Sequence, residues 1–156
     1  MIFDQKKCES IAQDLLGMKF KMGGRGPEEI DCYGVLVYFF REFGVDLPDY
    51  SYLDDWNPKE EYYLKEYASF FRRLDPQEVG APRGVGEAAT PQGNTPLLIP
   101  GDMILFQNVE GASNHAGVYI GDGKFIHAYR KIGTKIDRLV SPIWKKKIYG
   151  YFRLKT

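Results

Sequence analysis

His115-Ala-Gly-Val-Tyr-Ile-Gly-Asp-Gly-Lys-Phe-Ile-His-Ala-Tyr129 decides the fold, because two short apolar runs flank a Gly-Asp-Gly turn signal. Runs of this length, rich in Val, Ile, Phe and Tyr, read as strands, and the turn residues join them into a hairpin. Outward from the hairpin, the last third of the chain predicts strands at Met103 to Gln107, Ala116 to Ile120, Lys124 to Tyr129, Thr134 to Val140 and Ile148 to Leu154. Upstream the period changes. Asp4 to Leu16 carries Cys8, Ile11, Ala12 and Leu15 at helical spacing, and DCYGVLVYFFREFG (31–44) is apolar nearly all round, as a buried helix is. Gly44 terminates that helix, and Leu47-Pro48 closes the segment. Helices first and strands afterwards predict an α+β domain, with N-terminal helices packed on a C-terminal antiparallel sheet.

The middle of the chain reads as an insertion at about 49–97. Asn57-Pro58 with Glu60 predicts a helix start, and Tyr63, Tyr67, Phe70, Phe71 and Leu74 follow at helical spacing. From Asp75 to Pro100 come five prolines and four glycines, a loop long enough to cover a cleft. The aromatics Tyr50, Tyr52 and Trp56 could serve an interface.

A chain of 156 residues fits one domain, and 44% hydrophobic residues exclude disorder of the whole. Twenty-one basic and 21 acidic side chains cancel, so no net field draws the protein to nucleic acid or an anionic membrane. Lys145-Lys146-Lys147 reads as a solvated face. The start, MIFDQKKCES, lacks the apolar run of a secretory leader, and no stretch approaches the ~18 apolar residues of a membrane span. A soluble chain made in the cytoplasm is the expectation.

Cys32 stands where a Gly-rich loop, GMKFKMGGRGPEE, becomes the buried helix, which puts its sulfur at a helix N-terminus. Such positions can lower a thiol from about 8.5 to roughly 3.5–7.5. The chain holds two histidines, His115 and His127, both in the hairpin. A nucleophilic Cys needs a base in hydrogen-bond reach and a third group to fix the base's tautomer. Zinc is a rival use of Cys and His, but close ligand pairs such as CxxC or HxxxH are missing. A structural reading, in which both imidazoles are satisfied polar groups, stays open on spacing alone. Cys8, on the apolar stripe of the first helix, reads as core.

Register discriminates. A two-residue Asp122-Gly123 loop without a bulge would place His115 and His127 on opposite sheet faces. A three-residue loop, Gly121-Asp122-Gly123 with Gly123 left-handed, pairs 120 with 124 and 117 with 127, and brings both histidines to one face.

The segments LLGMKFKMGGRGPEEIDCYGVLVYFFREFGVDLP, LIPGDMILFQ and NHAGVYIGDGKFIHA, in that order, resemble the NlpC family of papain-like cysteine peptidases, which cleave bacterial cell-wall peptides. The resemblance implies a papain-like fold with Cys32 as nucleophile, His115 as base and His127 as the third polar residue. It implies hydrolysis of the bond between D-glutamate and a diamino acid in peptidoglycan stem peptides, with no metal or organic cofactor. Asp31, Tyr33, Phe20 and Asn114 would lie near the oxyanion and substrate. The family usually has Ser where this chain has Tyr33, and often Tyr where it has Phe20. Without that phenol the oxyanion would rely on backbone N–H groups near Cys32, and losing one donor can cost about 2.7–4 kcal/mol of transition-state stabilisation. The DCYG motif is also similar to peptidases of phage tails, which implies particle proteins as partners and action at the wall from a virion. An amidase or acyltransferase on a non-wall substrate, and a non-catalytic tail module, are the alternative readings.

Overall fold

The computed structural model describes residues 2–49, 69–75, 79, 98–107 and 115–155. In chain order these form α1 (Gln5–Leu15), β1 (Lys19–Phe20), β2 (Glu29–Ile30), α2 (Cys32–Arg41), β3 (Phe71–Arg73), β4 (Met103–Phe106), β5 (His115–Gly121), β6 (Lys124–Tyr129), β7 (Gly133–Arg138), α3 (Pro142–Lys145) and β8 (Ile148–Leu154). Six strands make one sheet in the order β3-β8-β4-β5-β6-β7, every neighbouring pair antiparallel. The architecture is α+β, as the order of periods in the sequence predicts.

Both N-terminal helices start on an aspartate. Asp4 accepts the Lys7 N–H at 2.9 Å, and Asp31 accepts the Gly34 N–H at 2.7 Å, each satisfying one donor that the first helical turn cannot. Gly44, at φ +78°, closes α2 with its N–H donated to the Arg41 carbonyl, while the Val45 N–H reaches back to Phe40 at 2.9 Å. A left-handed glycine with a backward bond from the next residue is a common helix stop.

The sheet is buried on two faces. Leu15, Val35, Leu36, Phe39 and Phe40 of the helices pack on Met103, Leu105, Ala116, Val118, Ile126, Ala128 and Phe152 on one side. Ile104, Phe106, Phe125, Leu139 and Trp144 form a second cluster on the other, with α3 supplying the tryptophan. This explains why the strands read as near-continuous apolar runs: all of β4 is buried. Each fully buried large side chain contributes about 1.5–3 kcal/mol.

The hairpin keeps the predicted register by a different turn. Asp122 and Gly123, at φ +53° and +74°, form a two-residue loop, and Gly121 pairs with Lys124. A bulge between Tyr119 and Gly121, with Gly121 at φ +101°, then shifts the ladder to Tyr119↔Phe125 and Val118↔Ile126. The extra residue sits in the strand and not in the loop, because Asp-Gly suits the positive φ that a primed turn needs at both positions.

One helical expectation fails. Phe71, Arg72 and Arg73 are a strand on Leu154, Arg153 and Phe152, and Phe71 is buried at the sheet edge. Periodicity over so few apolar residues could not compete with a partner strand that lies 80 residues away in sequence. Tyr63, Tyr67, the Asn57 helix start, Tyr50, Tyr52, Trp56 and most of the Asp75–Pro100 loop lie outside the described residues. The short pairs β1 and β2 leave no periodic signal; they run parallel, with Phe20 opposite Ile30.

Candidate active site

The start of α2 is tied to the Gly-rich loop before it. The Asp31 carboxylate accepts the N–H groups of Gly23 and Gly34, both at 2.7 Å, and the Arg25 guanidinium at 2.8 Å. Arg25 in turn holds Asp49, just past α2, at 2.9 Å. The loop can lie this close because Gly34 has no side chain: a Cβ there would come 2.5 Å from the Gly24 carbonyl oxygen. Asp31 therefore organises the helix start and its loop through hydrogen bonds inside the protein. Arg25, its ionic partner, was not singled out by the sequence, where it is one charge among 42.

Cys32 is the first residue of α2, half-buried, and not in a disulfide. It packs, with Phe20 and Tyr33, against the core on the helix side of the sheet. Phe20 comes there because β1 pairs with β2, two residues before the cysteine. Cys8 is wholly buried, and burial together with Asp4 pushes its thiol up to about 12. Asn114 lies outside the described residues.

His115 and His127 come together as the register requires. His115 Nε2 lies 2.8 Å from His127 Nδ1, and both rings are buried. Gly117 makes room between the strands, since a Cβ on it would meet that of His127 at 3.3 Å and the Phe125 ring at 2.9 Å. The row continues: His127 Nε2 lies 2.8 Å from Asp137 Oδ2 on β7. Asp137 is a site residue that sequence reasoning missed. Its strand was legible, but pairing of 127 with 135 and of 125 with 137 is a matter of tertiary register.

Aromatic rings enclose the pair. Trp144 stacks on His115 at 5.5 Å and meets His127 edge-on at 4.6 Å, with Phe106, Phe125 and Tyr129 completing the wall. Lys147 lies over the Trp144 ring at 5.4 Å, so this lysine of the basic run belongs to the wall of the site and not to a solvated face. Desolvation drives His115 well below its usual 6.5, helped by His127 and Lys147. Burial also lowers His127, against the opposing pull of Asp137. Burial would raise the Asp137 carboxyl, yet the hydrogen bond from His127, reinforced by Lys135 at 3.6 Å, holds it below its usual value. The resting row is thus two neutral imidazoles ending on a carboxylate.

The two histidines bond each other, and His127 bonds Asp137. The row projects from the face opposite α1 and α2. His115 begins β5. Among the described residues no cluster of three or more His, Cys, Asp or Glu side chains is arranged to hold a metal ion, and no helix is long and apolar enough to cross a membrane.

Comparison with known proteins points the same way as the motifs. The chain is 29% identical over 135 residues to a protein of Escherichia coli named murein DD-endopeptidase MepS/murein LD-carboxypeptidase, covering 86% of this chain and 54% of that one. It is 30% identical over 145 residues to the gamma-DL-glutamyl hydrolase of Bacillus subtilis, covering 91% of this chain and 27% of that one. The chain thus spans about half the length of the first and about a quarter of the second. A crystal structure from Staphylococcus aureus, described as similar to a lipoprotein of the NLP/P60 family, superposes with a TM-score of 0.62 at 20% identity, over 100% of this chain and 44% of that one. Residues 17–153, which hold Cys32, the histidine row and β1 to β7, match the NlpC/P60 family, and the chain belongs to that family.

Proposed function

We propose that the protein is a cysteine peptidase that hydrolyses an amide bond in peptidoglycan stem peptides, between D-glutamate and the diamino acid. The observation that carries this reading is the hydrogen-bonded pair His115–His127, on one sheet face, in a chain of this family with a cysteine at the N-terminus of α2. The names of the two relatives, a murein endopeptidase and a glutamyl hydrolase, support the substrate class.

In the proposed scheme Cys32 gives its proton to His115 as its sulfur attacks the amide carbonyl. The imidazolium then protonates the leaving amine; water, giving a proton to His115, releases the acyl group from the thioester as a carboxylic acid, and His115 returns that proton to the departing sulfur. His127 orients His115. Phe20, Tyr33 and Asn114 border the reacting carbonyl, and backbone N–H groups near Cys32 receive its oxygen. The scheme uses no metal or organic cofactor. The chain acts as one domain, 1–156, with an insertion at about 49–97. The comparisons lend no support to a phage-tail setting.

Burial of the row favours one rival, a domain that binds the wall without turnover. Digestion of purified peptidoglycan, with mass spectrometry of the new chain ends, separates the two. Ends at the D-glutamyl bond from the wild type, and none from Cys32→Ala, are expected. Intact peptides after digestion with the wild type would refute the peptidase.

A further inference from the structure

We propose that Asp137 is a positioning residue that sets the tautomer of both histidines and thereby leaves His115 Nδ1 as the nitrogen able to take a proton. The proposal rests on the peptidase reading only for what that nitrogen then does. The chain of inference is one of donors and acceptors. An ionised carboxylate can only accept, so His127 Nε2, 2.8 Å from Asp137 Oδ2, carries a hydrogen. A neutral His127 then has a lone pair on Nδ1, which must receive the hydrogen on His115 Nε2 at 2.8 Å. A neutral His115 with hydrogen on Nε2 has its lone pair on Nδ1. Two steps of forced polarity thus run from β7 to the base, in the way that the partner of an imidazole's far nitrogen decides which nitrogen reacts.

The second oxygen of Asp137 sharpens the case. Lys135 Nζ lies 3.6 Å from Oδ1, so the two carboxylate oxygens serve two donors. An amide has one oxygen. In Asp137→Asn the lysine can only donate and claims that oxygen, which turns the NH2 toward His127 Nε2. His127 must then carry its hydrogen on Nδ1 and donate to His115 Nε2, leaving His115 with a hydrogen on Nδ1 and no lone pair for a thiol proton. Asp137→Ala removes the acceptor without supplying a wrong donor. The smaller change in shape is therefore the more damaging one.

The row is suited to direct measurement, since these are the chain's two histidines. Ring nitrogen spectra of protein labelled with 15N-histidine, recorded at neutral pH, are expected to show hydrogen on Nε2 of both rings in the wild type. Hydrogen on Nδ1 of either ring in the wild type would overturn the proposal, with no variant needed. In Asp137→Asn both rings are expected to switch to Nδ1–H, and stem-peptide hydrolysis to fall toward the ~10⁴-fold loss that a wrong imidazole tautomer causes in another triad. Asp137→Ala is expected to lose less than Asp137→Asn, and Lys135→Met placed in the Asp137→Asn protein to restore part of the activity. Equal losses in Asn and Ala, with unchanged ring spectra, would mean that Asp137 only supports the fold. A wild type that leaves stem peptides intact refutes the peptidase and not the tautomers, because the spectra are read without substrate.

Discussion

Lowering the pH from 7.5 to 5.5 should destabilise this protein through its two histidines, and the size follows from their burial. Both rings are 3% exposed or less, and both are held below the usual 6.5 by desolvation. Below pH 6.5 the unfolded chain binds protons that the native state refuses, so stability rises with pH in this window and is lost as pH falls. Each histidine kept neutral contributes a slope of about 1.4 kcal/mol per pH unit. His115, driven furthest down, should supply a full slope. His127, which Asp137 partly restores, adds to it as long as it stays neutral. Between pH 7.5 and 5.5 the loss is therefore about 1 kcal/mol if only His115 stays neutral and about 3 kcal/mol if both do. That is a sizeable part of a typical stability of roughly 5–15 kcal/mol. The Asp137 carboxyl, shifted down from 3.8, works in a lower window and does not interfere. Urea unfolding at half-unit steps of pH, extrapolated linearly to water, measures the slope. His115→Phe, which puts a ring that cannot titrate among Phe106, Tyr129 and Trp144, should remove about one proton's share. A stability unchanged from pH 7.5 to 5.5 would refute the claim that both imidazoles rest neutral.

Brief iodoacetamide treatment near neutral pH, followed by peptide mapping, should label Cys32 well before Cys8, whose thiol burial pushes up to about 12; equal labelling would count against Cys32 as nucleophile. In stem-peptide assays on variants with intact melting transitions, Cys32→Ala should abolish turnover, and His115→Ala should lose about 10²–10⁴-fold or more, because proton transfer goes with it. His127→Asn or Gln, which can still accept the hydrogen on His115 Nε2, should lose much less than His127→Ala. Full activity in His127→Ala would remove it from the site.

Much of the molecule was legible before the structure. The five late strands and both N-terminal helices are local properties, written in apolar spacing, whereas the caps Asp4 and Asp31 came only with the structure. Cys8 as core follows from the same spacing. The pairing of His115 with His127 was also foreseen, since one count of residues around a turn decides which face each ring takes. Even there the turn itself was misjudged, because a bulge in the strand and a third residue in the loop give the same register. The edge strand Phe71–Arg73 escaped, and so did Trp144 and Lys147 as walls around the histidines.

The sequence by itself determined the class of fold and the order of its two N-terminal helices and five late strands, because helical and strand periods and turns act over a few residues. Only the tertiary structure decided what surrounds the two histidines: the ring stack that desolvates His115 and the row that ends on Asp137. Those depend on contacts between strands and helices distant in the chain, where burial removes water from an imidazole and one carboxylate dictates where two protons sit.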